Sequence, residues 1–165
     1  MKLRVLEKKD VNGMLEWMHD EDVNKFFRFH APDMTSEKAE NFIKNSFTKE
    51  NRHYAVVDEN DEYLGTISLK NINYEDKNAE YAISMRRCTW GKNISREATK
   101  MILDIAFGEL ELQKVYLNVL SENERAVAFY RKVGFTYVGE SKKHVVINGR
   151  FMDLKWFEIQ RGDKY

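Results

Sequence analysis

The chain has 165 residues, 42% of them hydrophobic and 13% aromatic, which suits one domain with its own core and excludes a disordered segment. Lys and Arg number 27, as do Asp and Glu, which removes the electrostatic case for nucleic acid or an anionic membrane and leaves no acidic excess to single out a polycation. Cys88 is the lone cysteine, so no intrachain disulfide forms, and the free thiol fits a reducing compartment.

The chain opens with an expected strand at Lys2 to Leu6, too polar for a signal peptide. No apolar run reaches the length of a membrane span, and a cytoplasmic protein is expected. Val11, Met14, Leu15 and Met18 follow a helical period. A turn at His19 to Asp22 leads to a second short helix around Val23 to Phe27, broken by Ala31-Pro32-Asp33. Thr35 or Ser36 caps the next helix, whose expected buried face is Ala39, Phe42, Ile43 and Phe47. Strands are expected at His53 to Val57 and Tyr63 to Lys70, joined by a turn at Asp58 to Asp61. Ala79 to Arg86 alternates, with Tyr81, Ile83 and Met85 on one face and Glu80, Ala82 and Ser84 on the other. A long helix follows from about Ile94 to Leu110, with Ala98, Met101, Ile102 and Ile105 facing inward. Val115, Leu117 and Val119 mark a strand. Ser121-Glu122-Asn123-Glu124 matches a capping box at the start of the next helix. Two final strands flank Asn148-Gly149, a type I′ hairpin signal. Mixed elements in this order predict an α/β (α+β) fold over residues 1–165, with helices on the faces of a sheet.

The stretch from Asn123 to Phe135 carries the most information. Asn123, Ala126, Val127 and Tyr130 fall at i, i+3, i+4 and i+7 and share one helical face. Asn123 and Tyr130 stand about 10.5 Å apart along the axis, so an amide and a phenol can bracket an elongated polar ligand. The pattern Asn-x-x-Ala-x-x-x-Tyr-x-Lys-x-Gly-Phe, with Lys132 in the Lys position, resembles the C-terminal signature of the GNAT N-acetyltransferase superfamily. The order of elements is similar to that fold over nearly the whole chain. The resemblance implies a single GNAT-like domain with a mixed, mostly antiparallel sheet, splayed central strands and acetyl-CoA as co-substrate.

Trp90-Gly91-Lys92-Asn93-Ile94-Ser95-Arg96 lies between a strand and a long helix. A turn of this type aims free backbone N–H groups and the positive end of a helix dipole outward, as a pyrophosphate requires. Lys92 and Arg96 add charge. The superfamily usually carries Gln/Arg-x-x-Gly-x-Gly/Ala here. This chain has Trp90 for the Gln or Arg, Asn93 for the middle glycine and Ser95 for the last small residue. Asn tolerates a left-handed backbone, so Asn93 can still make the turn, and Ser95 is small enough to cap a helix. Read alone, the loop is as readily a structural turn.

Acetyl transfer to an amine needs a neutral nucleophile, and a lysine-like amine has a pKa of roughly 10.4 in water. It also needs stabilisation of charge on the thioester oxygen and a proton for the departing thiolate. Tyr130 is the candidate acid, since a phenol is protonated at neutral pH; by its apolar neighbours alone it reads rather as a core tyrosine, and it is the resemblance that places it beside the sulfur. By the resemblance, backbone around Ile83, Met85 and Arg86 holds the pantetheine arm, where a fully paired strand is the alternative. Glu80 is the candidate base, or else a solvated strand-edge glutamate. Cys88 has no His/Asp partner in the pattern, and His19, His30, His53 and His144 lack ligand spacing, so neither a ping-pong nucleophile nor a metal is expected.

Trp17 through His30 is the candidate acceptor wall, or an aromatic packing cluster. The ending Asn148-Gly149-Arg150-Phe151-x-Asp153 is similar to both ribosomal-protein and spermidine acetyltransferases, and Trp17-Met18-His19-Asp20 to acetyltransferases of nucleotide-linked amino sugars. The partners implied are a small-molecule or peptide amine and, by analogy, a second copy in a homodimer. A non-catalytic acyl-CoA-binding module and a purely structural domain remain as the readings from other classes.

Overall fold

The structure, a computed structural model describing residues 1–165, contains seven strands. These are β1 (Lys2–Val5), β2 (Arg52–Val57), β3 (Tyr63–Asn73), β4 (Asn78–Met85), β5 (Lys114–Leu120), β6 (Thr136–Ile147) and β7 (Arg150–Gln160). They form one sheet ordered β1-β2-β3-β4-β5-β7-β6. Every neighbouring pair is antiparallel except β4 and β5, which are parallel. The helices are α1 (Val11–His19), α2 (Glu21–Asn24), α3 (Ser36–Lys44), α4 (Ile94–Asp104) and α5 (Glu124–Lys132).

Alternation along the strands splits the core in two. On one face Tyr54 and Val56 of β2 pack with Ile102 and Leu103 of α4 and Val127 and Tyr130 of α5. On the other, Ala55 and Val57 pack with Met14 and Trp17 of α1 and Ala39 of α3. The largest buried side chains include Ile67, Leu69, Leu117 and Phe157, each worth about 1.5–3 kcal/mol of burial.

The sheet opens at its parallel pair. β4 and β5 share three rungs, Asn78↔Lys114, Ala79↔Val115 and Glu80↔Tyr116. β4 stays paired with β3 as far as Gly65↔Met85, and β5 with β7 as far as Leu120↔Leu154. From Tyr81 onward the two central strands therefore diverge, as the splayed sheet requires. α5 reaches across both sides, since the Tyr130 ring lies 5.9 Å from Tyr81 of β4 and 6.3 Å from Phe157 of β7.

Several local expectations change. The second helix starts earlier, because Asp20 caps it by accepting from the Asp22 N–H, and this frees Phe26 and Phe27 from the helix. Ala39 is buried on α3, but Phe42 and Phe47 are exposed, and Phe47 lies beyond the helix end, against Tyr54 and Arg52. The inward face of α4 is Ala98, Thr99, Ile102 and Leu103; Met101 and Ile105 are half-buried, and a wider π-type turn follows over Ile105–Glu109. α5 is capped by Asn123, whose side chain accepts from the Ala126 N–H at 3.2 Å, and not by the expected box. Ser121 instead donates to Glu140 at 2.6 Å. Gly134 ends this helix at φ 107°, with the Phe135 N–H returning to the Tyr130 carbonyl, a glycine-dependent C-terminal cap.

Candidate active site

Opening the sheet frees backbone. Beyond Glu80, the β5-facing edge of β4 has no ladder partner, so its N–H and C=O groups can hydrogen-bond an extended amide chain laid beside it. A cavity of about 1050 Å3 occupies the gap. On the α4–α5 side it is lined by Tyr81, Ile83, Met85, Ser95, Asn123, Ala126 and Tyr130. On the α1–α3 side it meets Thr66, Ser68, Lys70, Glu80 and His53, and an aromatic wall of Trp17, Phe26, Phe27, Phe29 and Phe42. The cavity thus borders both faces of the sheet.

Tyr130 is buried among Tyr81, Phe129, Phe135 and Phe157. Burial alone pushes its pKa upward, so the phenol keeps its proton far above neutrality. Tyr81 is raised by burial and then by the neighbouring Tyr130. Its hydroxyl meets Thr99 at 2.8 Å, and Thr99 in turn donates to the Ser95 carbonyl at 2.7 Å. That chain ties the first turn of α4 to the diverging part of β4.

Glu80 is held in a polar cluster. Asn71 donates to it at 3.0 Å and Asn118 at 3.3 Å, with the Lys70 ammonium 3.7 Å away. His53 shares a 2.6 Å hydrogen bond with Ser68 and packs on Phe42 at 4.7 Å. Burial, with a smaller contribution from Lys70, lowers its pKa to about 4, so the imidazole is neutral at pH 7. The wall itself is fixed from behind: the Trp17 indole donates to the Tyr63 hydroxyl at 2.9 Å, which meets Thr66 at 2.7 Å.

Seven of the expected site residues come together in this cavity: Glu80, Ile83, Met85, Ser95, Asn123, Ala126 and Tyr130. Gly91, Lys92, Asn93, Ile94 and Arg96 lie outside it on the loop and first turn of α4. Gly91 and Asn93 both have left-handed backbone, at φ 75° and 61°, so Asn93 does make the turn in place of glycine. No side chain caps α4, which leaves its first N–H groups free for an anion. Ser95 therefore does not serve as the cap. Asn93 and Arg96 also line a separate hollow of about 120 Å3 beside Tyr165. Two side chains fall elsewhere. The Arg86 guanidinium pairs with Glu16 at 2.6 Å and Glu62 at 2.8 Å and donates to the Tyr63 carbonyl, so it clamps α1 to the β2–β3 turn. Lys132 is exposed, two residues and hence about 200° around the helix from Tyr130.

His53, Ser68 and Lys70 were missed in the sequence. Their signal was polar residues at alternate positions on central strands, which puts them on one face.

The geometry has counterparts among known proteins. Residues 3–156 match the family model described as an acetyltransferase (GNAT) domain. A spermidine N(1)-acetyltransferase of Vibrio cholerae is 29% identical over 155 residues, covering 94% of this chain and 90% of that protein. One from Escherichia coli K12 is 30% identical over 151 residues, covering 92% and 81%. The crystal structure of spermidine N-acetyltransferase from Vibrio cholerae in complex with CoA and spermine superposes with a TM-score of 0.86 at 28% identity, covering 97% of this chain and 95% of that one.

Proposed function

We propose, from the premise that this chain belongs to the GNAT acetyltransferase family, that it transfers an acetyl group directly from acetyl-CoA to a primary amine, both substrates being bound at once. Residues 1–165 serve as one such domain in this reading. The observation that carries it is the cavity through the splay of β4 and β5, with Tyr130 on one side and an aromatic acceptor wall on the other.

The residues present fit the co-substrate. The open edge of β4 suits its pantetheine amides, and the uncapped amino end of α4 suits its diphosphate. When bound, acetyl-CoA supplies an acyl group activated as a thioester. A backbone N–H on the open edge of β4, in the stretch from Ile83 to Met85, stabilises charge on the acyl oxygen. Tyr130 holds a proton at its phenolic oxygen and donates it to the departing sulfur. Glu80 takes the proton released by the amine, directly or through water. Neutral His53 adds no positive charge beside an incoming ammonium.

A polyamine is the first acceptor to test, because relatives named for spermidine align over most of both chains. Aromatic faces attract ammonium groups, which supports the same choice. A protein N-terminus and a nucleotide-linked amino sugar are the alternatives. The free Cys88 thiol supports a cytoplasmic location; no helix is long and apolar enough to cross a membrane. For assembly we propose a homodimer through the β6–β7 hairpin, where Val138, Val146 and Phe151 are exposed, testable by sedimentation.

Thioester consumption against a panel of polyamines, peptides with free N-termini and amino sugars tests the activity. Turnover on at least one class is expected. CoA binding without turnover on any amine would instead identify a non-catalytic binding module.

A further inference from the structure

Trp90 stands where the family usually carries Gln or Arg, and the structure shows what the indole holds. The guanidinium carbon of Arg125 lies 3.8 Å from the centroid of its ring. Trp90 follows the short turn Arg87–Thr89 and precedes the loop into α4. Arg125 is in the first turn of α5. Their stack therefore spans from the amino end of one helix to that of the other, and both residues line the main cavity. Lys92 and Arg96, the cations of the loop and first turn that follow Trp90, do not. Arg125 is exposed, and its guanidinium partner is that ring. An indole face attracts a cation and fixes the guanidinium plane, leaving the edge donors of a rigid fork free for phosphate oxygens.

We propose that Arg125, oriented by Trp90, binds the diphosphate of acetyl-CoA from the α5 side and so replaces the polar group that Trp90 displaces from the loop. The proposal rests on the acetyltransferase reading. It accounts for the loop's departure at Trp90 as an exchange of position, the polar contact arriving from the facing helix.

Calorimetric titration with CoA, 3′-dephospho-CoA and pantetheine tests it on the wild type and on the R125A, W90A and W90R/R125A variants, with circular dichroism as the folding control. R125A is expected to weaken CoA and dephospho-CoA alike by on the order of tenfold, as loss of a charge-assisted hydrogen bond implies, and to leave pantetheine unchanged. W90A should weaken the same two ligands by a smaller factor. W90R/R125A should recover most of the affinity, since the loop then carries the cation itself. Unchanged CoA affinity in R125A overturns the proposal, as does an equal loss for pantetheine. Loss for CoA with none for dephospho-CoA moves the contact to the 3′-phosphate and overturns it too. A wild type that binds CoA normally but acetylates no amine defeats the enzymatic reading alone; one that binds none of the three ligands defeats both.

Discussion

Glu80 and Tyr116 form the last rung of the parallel pairing between β4 and β5. Beyond them the strands part, so Glu80 stands at the apex of the cavity it lines. Asn118, two residues past Tyr116 on the diverging β5, donates to the Glu80 carboxylate at 3.3 Å. Asn71 of β3 holds the other oxygen. A carboxylate tethered to both sides of the split is fixed where an amine entering from the α1–α3 face would meet the slot. Fixed placement matters more than basicity here, because a misplaced acceptor forfeits the advantage of proximity.

Tyr130→Phe is expected to lower kcat by about 10²–10⁴-fold, the usual contribution of a positioned acid. The fold should persist, since the ring keeps its aromatic neighbours and only burial acts on the hydroxyl. The raised pKa keeps the phenol protonated, so kcat of the wild type should show no alkaline fall attributable to Tyr130 below pH 10. Steady-state kinetics from pH 6 to 10 measure both. Unchanged turnover in the variant would remove Tyr130 from the chemistry.

Asn123 combines a cap with a place in the cavity. Its Oδ1 accepts from the Ala126 N–H, and the residue lines the α4–α5 side, where the proposed function places CoA. Asn123→Ala should destabilise the protein by about 1 kcal/mol through loss of the cap. Asn123→Asp keeps an N-cap acceptor and favours the helix dipole, so the melting midpoint should hold. Its amide donor is gone, however, and a negative charge takes its place. Weaker CoA binding with unchanged stability is therefore expected, and equal CoA affinity would confine Asn123 to capping.

The sheet was legible because period-two alternation and turn chemistry are local. Asn148-Gly149 adopts φ 50° and 75°, as its composition predicts. The helix carrying Asn123 and Tyr130 was legible for the same reason: spacing sets its face. The splay was not, because the residues where β4 leaves β5 carry ordinary strand patterning on both sides. Three-dimensional partners decided the rest. Arg86 was expected among the backbone contacts at the end of β4; its side chain has a separate task, since two carboxylates distant in sequence, Glu16 and Glu62, claim its guanidinium. His53 looked incidental until β3 placed Ser68 beside it. Trp90 stands for the usual Gln or Arg of the family, and the partner of its ring, Arg125, comes from α5.

His53 gives a pH signature. Its folded pKa of about 4 lies below the ordinary 6.5. Between those values the unfolded chain binds a proton that the folded chain does not, so stability falls as pH drops from 6.5 towards 4. Above 6.5 the contribution is constant. Asp61, lowered to about 2 by Lys9 and Arg4, changes the balance only below 3.8. His53→Gln should therefore flatten the loss of stability between pH 6.5 and 4. Urea titrations across that range measure it, and identical slopes for both proteins would show that His53 titrates normally.

Gly65 lies where β3 holds the far end of β4, beside the cavity. It pairs with Met85, and a Cβ there would lie 2.6 Å from the Ser84 carbonyl oxygen and 2.9 Å from the Met85 Cα. Both are backbone atoms of the strand end that borders the cavity, so relief requires β4 itself to shift. Gly65→Ala is expected to destabilise by about 1–3 kcal/mol, the usual cost of overpacking. Because the shifted atoms belong to the proposed pantetheine edge, CoA affinity should fall in parallel. Gly108→Ala is the control: nothing lies within 4 Å of its Cβ, and an alanine in a helical turn stabilises by roughly 0.5–1 kcal/mol. Thermal melts and CoA titrations on both variants separate the effects. A Gly65→Ala protein that melts lower but binds CoA as tightly as the wild type would place the ligand away from the end of β4.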